Sequence, residues 1–293
     1  MSKNRLGISS FVLASPFGDA DLVWFSRARE MGYELVEVCV EDPALLSAEQ
    51  VRAAAEAADV RLSIGGVFGP DRDISHRSPR RRQTGLDYLL GCIEFAAAVG
   101  AGIVSGPMYS AAGKARMLSA HDRETQRRWA VEGVRAAAAH AGDRGVTLAI
   151  EPLNRFETDL VNTVEQGVGF CERVGRDNVG LTLDTFHMGI EEKQIGEAIR
   201  AAGGFIRSFQ ASENDRGAPG NGHLPWTEMF DALDDVGYDG PIVVESFRPD
   251  VAAVASGVCL WRPVAKSMDQ LARDSHRFLT SQLERSPNRG SCD

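Results

Sequence analysis

The chain has 293 residues, of which 43% are hydrophobic and 25% charged, and its formal net charge at pH 7 is −9. This composition is ordinary for a soluble globular protein, and the acidic balance argues against a partner bound through its phosphate backbone, such as a nucleic acid. No apolar stretch approaches the roughly 20 residues that span a bilayer, and no secretory leader is evident, so we expect a cytoplasmic protein without a membrane partner.

The cysteine content agrees with that expectation. The chain has five cysteines, an odd number, and no close C-x-x-C pair. This pattern fits free thiols in a reducing compartment better than a disulfide framework. The length fits either one large α/β barrel or two ordinary domains, so length alone does not decide the architecture.

Short apolar runs, many of them β-branched, alternate along the chain with longer helical segments, and these runs predict eight strands. In chain order, the predicted strands are Leu6–Val12, Leu35–Val40, Arg61–Gly65, Gly102–Gly106, Val146–Glu151, Val179–Asp184, Ile206–Ser212 and Pro241–Glu245. Strands that are separated by helices in this way are typical of βα units in a parallel sheet.

The segments between the strands have helical periodicity, as in ADLVWFSRAREMG and RRWAVEGVRAAAAHAGDRG, and most of them end in glycine. Eight βα units are the number that closes a (β/α)8 TIM barrel, whose usual size is about 250 residues. Because no linker rich in proline, glycine or serine divides the chain, we predict one α/β barrel domain over residues 1–285. Its last helix is expected in MDQLARDSHRFLTSQLERS, followed by a disordered tail over residues 286–293.

Four of the late strands deliver a polar residue at their ends. These residues are Glu151, Asp184, Gln210 and Glu245. Side chains alternate between the two faces of a strand, so if these four point into the barrel, small polar residues lie below three of them and apolar residues face the helices. The polar residues are Thr147, Thr182 and Ser208, and the apolar ones are Leu148, Ile150, Leu181, Leu183, Phe209, Ala211, Ile242 and Val244.

Three carboxylates crowded at one end of a barrel repel one another, and a divalent cation would resolve that repulsion. Carboxylate and amide oxygens are hard ligands that suit Mg²⁺ or Mn²⁺. The four residues therefore predict a metal site at the carboxyl-terminal face, where barrel enzymes hold their active sites. The alternative is that each residue only caps a helix or binds a neighbouring loop, as polar residues near strand ends often do.

Further candidate residues follow these strand ends closely, namely Glu157, His187 and Arg216. The other histidines show no metal-ligand spacing and are expected to be structural or on the surface; they are His76, His121, His140, His223 and His276. The segment GPMYSAAGK, residues 106–114, does not match the phosphate-loop pattern, so no phosphate loop is predicted.

Longer motifs point to a known family. They are EPLNRFE, LDTFHMGIEE, IGEAIRAAG, ENDRGAPGNGHLPWTEMFDAL and GYDGPIVVESF. With these motifs the chain resembles the D-tagatose 3-epimerase/D-psicose (allulose) 3-epimerase group of the xylose isomerase-like TIM barrel sugar isomerases and epimerases. The likeness extends from ELVEV to LWRPV and is strongest between Glu151 and Glu245.

The resemblance implies one bound divalent cation, Mn²⁺ or Mg²⁺, with Co²⁺ as a further candidate. The family holds its metal with Glu, Asp, His and Glu, and these positions fall on Glu151, Asp184, Gln210 and Glu245. Gln210 therefore stands where the family has histidine. An amide oxygen is a harder donor than imidazole, which favours Mg²⁺ or Mn²⁺.

The resemblance also implies the reaction, which is the epimerisation of a free ketose at C3. Glu151 and Glu245 would be the catalytic pair that removes and returns a proton beside the ketone, through an enediolate that the metal stabilises. Glu157, His187 and Arg216 would bind the sugar oxygens. A homodimer or homotetramer is implied by analogy with the family.

Two departures from the family keep other functions open. The first βα loop, SSFVLASPFGD, has Phe11 and Phe17 as its only aromatic residues, whereas the family is rich in Tyr and Trp there. Gln210 also occurs in hydroxypyruvate isomerase-like members of the superfamily, so a hydroxypyruvate- or keto-inositol-type isomerase, or a sugar-modifying lyase, is the alternative. A barrel that binds a sugar without catalysis is a third interpretation. The zinc-dependent DNA-repair endonucleases of the superfamily are a poor match, because placed histidines are few and the net charge is negative.

Overall fold

Eight parallel strands pair in sequence order and close into a barrel, with β8 returning to β1. The structure is a computed structural model that describes residues 4–285 of the chain. The strands are β1 Leu6–Ser9, β2 Leu35–Val40, β3 Arg61–Gly66, β4 Ile103–Gly106, β5 Thr147–Ile150, β6 Val179–Asp184, β7 Ile206–Ala211 and β8 Ile242–Val244. All carboxyl ends therefore meet at one face, and the predicted single (β/α)8 barrel architecture is confirmed.

Helices surround this barrel. They are α1 Ser10–Leu13, α2 Val23–Glu30, α3 Ala48–Ala58, α4 Pro79–Val99, α5 Ala120–Gly142, α6 Val164–Val174, α7 Thr185–Glu191, α8 Ile195–Ala202, α9 Trp226–Asp235, α10 Ala252–Gly257 and α11 Met268–Arg285, with 3₁₀ turns at Asp19–Asp21, Pro43–Leu45 and Gly203–Phe205. Among residues 4–285, no helix is long and apolar enough to cross a membrane. The tail predicted over residues 286–293 lies outside the described residues, and the domain boundary stays a prediction.

Local sequence signals explain where several helices begin and end. Ser47 and Thr163 precede α3 and α6, and their hydroxyls accept hydrogen bonds from the backbone N–H groups of Gln50 and Gln166. Such a cap satisfies an N–H group that the first turn of a helix leaves free. Gly175 ends α6 at φ +64°, a left-handed conformation that glycine adopts easily because it has no Cβ.

The alternation of side chains along the strands follows the prediction. The apolar set of β5–β8 lies in the large buried core that the strands share with the surrounding helices. The opposite face points into the barrel, because Gln210 on β7 donates a hydrogen bond across the interior to Glu37 on β2. Thr182 and Ser208 are buried on that inner face, one step below Asp184 and Gln210.

Most predicted strand bounds agree with the structure to within one residue at each end, but the bound of the first strand is wrong. It was expected to continue to Val12, whereas β1 ends at Ser9 and the chain turns at once into α1. The physical reason is the hydroxyl of Ser9, which accepts a hydrogen bond from the N–H of Phe11 and caps the new helix. Phe11 is thereby placed beside the carboxyl end of the barrel.

A stability prediction follows from Gly106 at the end of β4. This residue has φ +126°, and a Cβ atom built on it would lie 2.6 Å from the carbonyl oxygen of Gly66. We expect Gly106→Ala to lower the free energy of unfolding by at least about 1–3 kcal/mol, because alanine there is both strained and in collision with rigid backbone. Urea denaturation followed by circular dichroism measures the change.

Gly102 supplies the matched control, since it immediately precedes the same strand. It has an ordinary φ, and a Cβ on it would meet no heavy atom within 4 Å. We expect Gly102→Ala to change the free energy of unfolding by less than about 0.5 kcal/mol. Equal effects of the two substitutions would contradict the strain described for Gly106.

Candidate active site

A cavity of about 370 Å³ opens at the carboxyl-terminal face of the barrel and contains most of the predicted site residues in its lining. These lining residues are Glu151, Glu157, His187, Gln210, Arg216 and Glu245. Asp184 lies behind them and is 1% exposed. The amino-terminal end of the barrel has a larger cavity, of about 530 Å³, but no histidine lines it and its acidic residues are only Glu56 and Asp239.

The ends of the strands place the acidic residues. Asp184 ends β6 directly beside Gln210 on β7, in parallel register. Glu151 and Glu245 each follow their strand by one residue, and their backbone N–H groups continue the ladder by donating to the carbonyls of Gly106 and Ala211, both at 3.1 Å. All four residues are therefore fixed by the sheet rather than by a flexible loop.

Three of the predicted residues come close enough to share one ion. Single ligand atoms of Glu151, Asp184 and His187 all lie within 4.8 Å of one another, and the three residues are buried. The sequence had placed His187 among the substrate-binding residues, and the structure also brings its ring to the edge of the carboxylate group. Two carboxylates and an imidazole at this spacing are a donor set that could hold one cation.

Arg216 supplies a positive charge inside the same group. Its Nη1 atom donates to Asp184 Oδ2 at 2.9 Å and to Glu245 Oε2 at 3.0 Å. The guanidinium plane lies over the ring of Phe186, 3.9 Å from its centre, and 5.0 Å from that of Phe247. Arg216 adopts a left-handed backbone conformation, with φ +65°, which is uncommon for a residue other than glycine and typical of functional sites.

Burial and mutual repulsion divide the three acids into two kinds. Burial, and next the nearby Asp184, raises the pKa of Glu151 well above its usual range, and burial likewise raises the pKa of Glu245. Burial also opposes ionisation of Asp184, but the charge of Arg216, together with a hydrogen bond from the backbone N–H of His187, holds the pKa of Asp184 below its ordinary value. The charge of Arg216 thus favours ionisation of Asp184, whereas burial opposes ionisation of both glutamates.

The nitrogen and the oxygen of the Gln210 side-chain amide differ in their hydrogen bonds. Its Nε2 atom donates to Glu37 Oε1 at 2.9 Å and to Glu245 Oε1 at 3.3 Å. Its carbonyl oxygen Oε1 is buried and has no hydrogen-bond partner among residues 4–285. A buried oxygen without a partner beside three carboxylates is the donor that a hard divalent cation requires, so the residues present fit such an ion.

Hydrogen bonds from Asn154 fix the orientation of the His187 ring. The backbone N–H of Asn154 donates to Nδ1 of His187 at 3.0 Å, so Nδ1 is an acceptor. Nε2 lies 3.5 Å from Glu151 Oε1 and 3.1 Å from Nη2 of Arg216, a group that can only donate. Burial lowers the pKa of His187, which favours the neutral ring. The ring is therefore held with Nε2 between the carboxyl group of Glu151 and the guanidinium.

Glu157 lies at the rim of the cavity and is half-buried. Its Oε1 accepts a hydrogen bond from Asn154 Nδ2 at 2.9 Å, so the same asparagine positions both Glu157 and His187. This arrangement leaves the second carboxylate oxygen of Glu157 available to a hydroxyl group in the cavity.

Sequence reasoning missed Glu37, which also lines the cavity. It is 1% exposed and accepts hydrogen bonds from Gln210 and, at 2.7 Å, from Ser105 Oγ. One signal was available, because Glu37 is the only charged residue in the otherwise apolar strand LVEVCV. A lone acid in the middle of a buried strand requires partners inside the barrel.

The polar segment after β7 has a structural explanation that the sequence did not supply. Glu213 is buried and accepts four hydrogen bonds, from the N–H groups of Asn214, Gly220 and Leu224 and from the indole of Trp226. It therefore organises the loop that carries Arg216, and it does not line the cavity.

The cavity walls above the acids are apolar. Phe11 and Phe247 pack with ring centres 5.1 Å apart, and both line the cavity together with Phe68, Val254 and Val258. Phe17, the second aromatic residue of the first loop, is instead buried in the core against Phe25. The first loop thus contributes one aromatic residue to the cavity.

The chain is similar to known proteins in both sequence and fold. The family model for xylose isomerase-like TIM barrels matches residues 25–282. The L-ribulose 3-epimerase of Mesorhizobium japonicum is 33% identical over 96% of this chain and 94% of its own length. The D-psicose 3-epimerase of Ruminiclostridium cellulolyticum is 30% identical over 87% of this chain and 88% of its own length. Among solved structures, an L-ribulose 3-epimerase superimposes with a TM-score of 0.91 at 31% identity, covering 96% of this chain and 95% of that one.

The role of Arg216 as an internal counter-charge can be tested by unfolding the metal-free protein. Arg216→Met leaves the Asp184 and Glu245 carboxyls buried without their shared cation, and we expect a loss of about 3–5 kcal/mol in the free energy of unfolding. Urea denaturation in the presence of a chelator measures it. The matched control is Arg200→Met, which removes an exposed ion pair to Asp235 and should cost less than about 1 kcal/mol. A similarly small loss at both positions would contradict the role of Arg216.

Proposed function

The chain belongs to the xylose isomerase-like TIM barrel family and is similar to ketose 3-epimerases, and we therefore propose that it is a metal-dependent enzyme that epimerises free ketoses at C3. It is an enzyme of the isomerase class, a carbohydrate epimerase. The observation that carries the proposed mechanism is that Glu151, Glu245 and Gln210, from different strands, line one cavity, and that no group in residues 4–285 forms a hydrogen bond with the buried oxygen of Gln210.

A divalent cation, Mn²⁺ or Mg²⁺ and alternatively Co²⁺, would be held by Glu151, Asp184, Gln210 and Glu245. When bound, it would supply Lewis-acid polarisation of the ketone and so stabilise the enediolate that forms as the neighbouring C–H bond breaks. The donor set supports this assignment, since it consists of three carboxylates and one amide oxygen.

Proton transfer would be the task of the two glutamates. One carboxylate takes the proton from C3 on one side of the substrate, and the other returns a proton on the opposite side, which inverts the carbon. Their placement supports this division, because Glu151 follows β5 and Glu245 follows β8, so the two acids reach the cavity from separate parts of the barrel wall. Each transfer is expected to contribute on the order of 10²–10⁴ in rate.

Three further residues would hold the sugar. The imidazole of His187 and the guanidinium of Arg216 would contact substrate oxygens, while the second carboxylate oxygen of Glu157 would accept a hydrogen bond from a hydroxyl group. Apolar walls around Phe11 and Phe247 would exclude water from the reacting carbon.

Gln210 favours one alternative function. A hydroxypyruvate- or keto-inositol-type isomerase, or a lyase on the same scaffold, would use the same acids with a different substrate, and the single aromatic residue from the first loop leaves room for one. The relatives named for D-psicose and L-ribulose make the ketose the stronger proposal. The cytoplasmic location and the homodimer or homotetramer stay predictions.

A substrate screen in D₂O with added Mn²⁺ tests the proposed function. We expect D-psicose or L-ribulose to be converted to its C3 epimer, with deuterium from the solvent at C3, and NMR reads both changes. Turnover of hydroxypyruvate or a keto-inositol without ketose epimerisation would favour the alternative. Failure to exchange any proton on the whole panel would overturn the enzymatic proposal.

The acid and base assignment has its own variants. Glu151→Gln and Glu245→Gln should each lower turnover and deuterium uptake by at least about 10²-fold, because an amide cannot transfer the proton. Glu192→Gln is the control, since this half-buried glutamate accepts a hydrogen bond from the N–H of Val164, outside the cavity lining. Deuterium uptake that persists in both site variants would refute the assigned roles.

Metal preference gives a further prediction for Gln210. Gln210→His replaces a hard amide oxygen by an imidazole nitrogen, so the affinity for Co²⁺ should rise relative to that for Mg²⁺. Titration calorimetry on metal-free protein measures both affinities. Gln270→His adds a histidine at an exposed position and controls for unspecific binding. An unchanged ratio of the two affinities would argue against Gln210 as a ligand.

A further inference from the structure

Glu37 occupies an unusual place for a charged residue. It lies in the middle of β2, is 1% exposed, and its side chain points into the barrel interior. There Oε1 of Glu37 accepts a hydrogen bond of 2.9 Å from Nε2 of Gln210 on β7. Because β1 and β8 separate β2 from β7 in the barrel wall, this contact spans the interior and is not a contact between neighbouring strands.

The carboxylate of Glu37 is itself anchored. Its second oxygen, Oε2, accepts a hydrogen bond of 2.7 Å from Ser105 Oγ on β4, and this serine lies 3.2 Å from the carbonyl of Ile64 on β3. Both oxygens of Glu37 are therefore engaged with donors on rigid strands, which fixes the direction of the carboxylate. A group held in this way can orient a partner rather than follow it.

Gln210 is the partner whose orientation depends on it. The amide nitrogen faces two carboxylates, those of Glu37 and Glu245. If the amide were turned over, its carbonyl oxygen would face the oxygen atoms of Glu37 and Glu245, and a hydrogen bond there would require one of these acids to be protonated. The nitrogen is thus held on the Glu37 side, and within the described part of the chain, residues 4–285, the buried Oε1 has no hydrogen-bond partner.

Glu245 is less suited to hold the amide by itself. Its contact with Gln210 is longer, at 3.3 Å, and its other oxygen is engaged by Arg216 at 3.0 Å. Glu245 is also among the acids to which we assign the cation and the proton transfer. Glu37 has neither role, so its hydrogen bond to Gln210 can persist throughout the reaction.

We propose that Glu37 is a positioning residue for the metal site: its carboxylate holds the amide of Gln210 so that Oε1 is the atom offered to the divalent cation. The proposal rests on the metal site described under the proposed function. Glu37 itself does not contact the cation and affects it only through Gln210. This role accounts for the presence of an acid inside an otherwise apolar strand.

Three variants of Glu37 separate orientation from charge. Glu37→Gln removes the charge but keeps a carbonyl oxygen that can accept from Gln210 and an amide that can donate to Ser105. Glu37→Asp keeps the charge but withdraws the acceptor by one methylene group. Glu37→Leu removes both the charge and the acceptor.

The readout is the dissociation constant of Mn²⁺, measured by calorimetry or electron paramagnetic resonance on metal-free protein. We expect Glu37→Leu and Glu37→Asp to weaken Mn²⁺ binding by about 10–100-fold, the usual effect of losing a residue that orients a ligand. Glu37→Gln should stay much closer to the wild type. Asp73→Asn alters another buried carboxylate, outside the cavity, and should lower the unfolding midpoint while leaving the dissociation constant unchanged.

The outcomes are distinct. A loss in Glu37→Gln as large as that in Glu37→Leu would mean that Glu37 acts by charge alone, which overturns the proposal. Wild-type affinity in Glu37→Asp also overturns it, and this variant decides the matter if Glu37→Leu does not fold. Absence of Mn²⁺ binding by the wild type, or wild-type affinity in Gln210→Ala, would instead refute the metal site under the proposed function.

Discussion

The burial of three carboxyl groups beside one another is the constraint on which the carboxyl-terminal end of this barrel depends. Glu151, Asp184 and Glu245 are each less than 10% exposed, and water offers them little compensation. Arg216 bonds to two of them and is itself 3% exposed, so the guanidinium and the acids hold one another in the interior. The positions of the surrounding residues follow from keeping these charges together.

The scaffold around Arg216 shows how much structure this arrangement requires. The carboxylate of Glu213 stabilises the loop between β7 and α9 by accepting four hydrogen bonds from it. The hydroxyl of Ser246 donates a further hydrogen bond to the carbonyl of Arg216 at 2.6 Å. These contacts stabilise a left-handed backbone at a residue with a long side chain, which would otherwise be unfavourable. Glu213, although it is a buried acid close to the cavity in sequence, thus stabilises the loop and does not line the cavity.

Much of this was accessible from the sequence, because parallel barrels place their strand ends together. The alternation of polar and apolar residues in VTLAIE, VGLTLD and IRSFQ was sufficient to predict that Glu151, Asp184 and Gln210 lie at one face of the barrel. What sequence could not supply is which residues meet across the interior. The contact of Gln210 with Glu37 joins positions 173 residues apart, and the orientation of the His187 ring depends on a backbone N–H group 33 residues away. The predicted end of β1 was wrong because the apolar pattern continues past Ser9, whereas the Ser9 hydroxyl caps a helix that begins there.

The guanidinium between Asp184 and Glu245 has a consequence for how this end of the barrel assembles. Because Arg216 is part of the chain, both acids acquire a positively charged partner in the same event that closes the loop over them. Completion of the fold around these two acids therefore does not depend on an added ion.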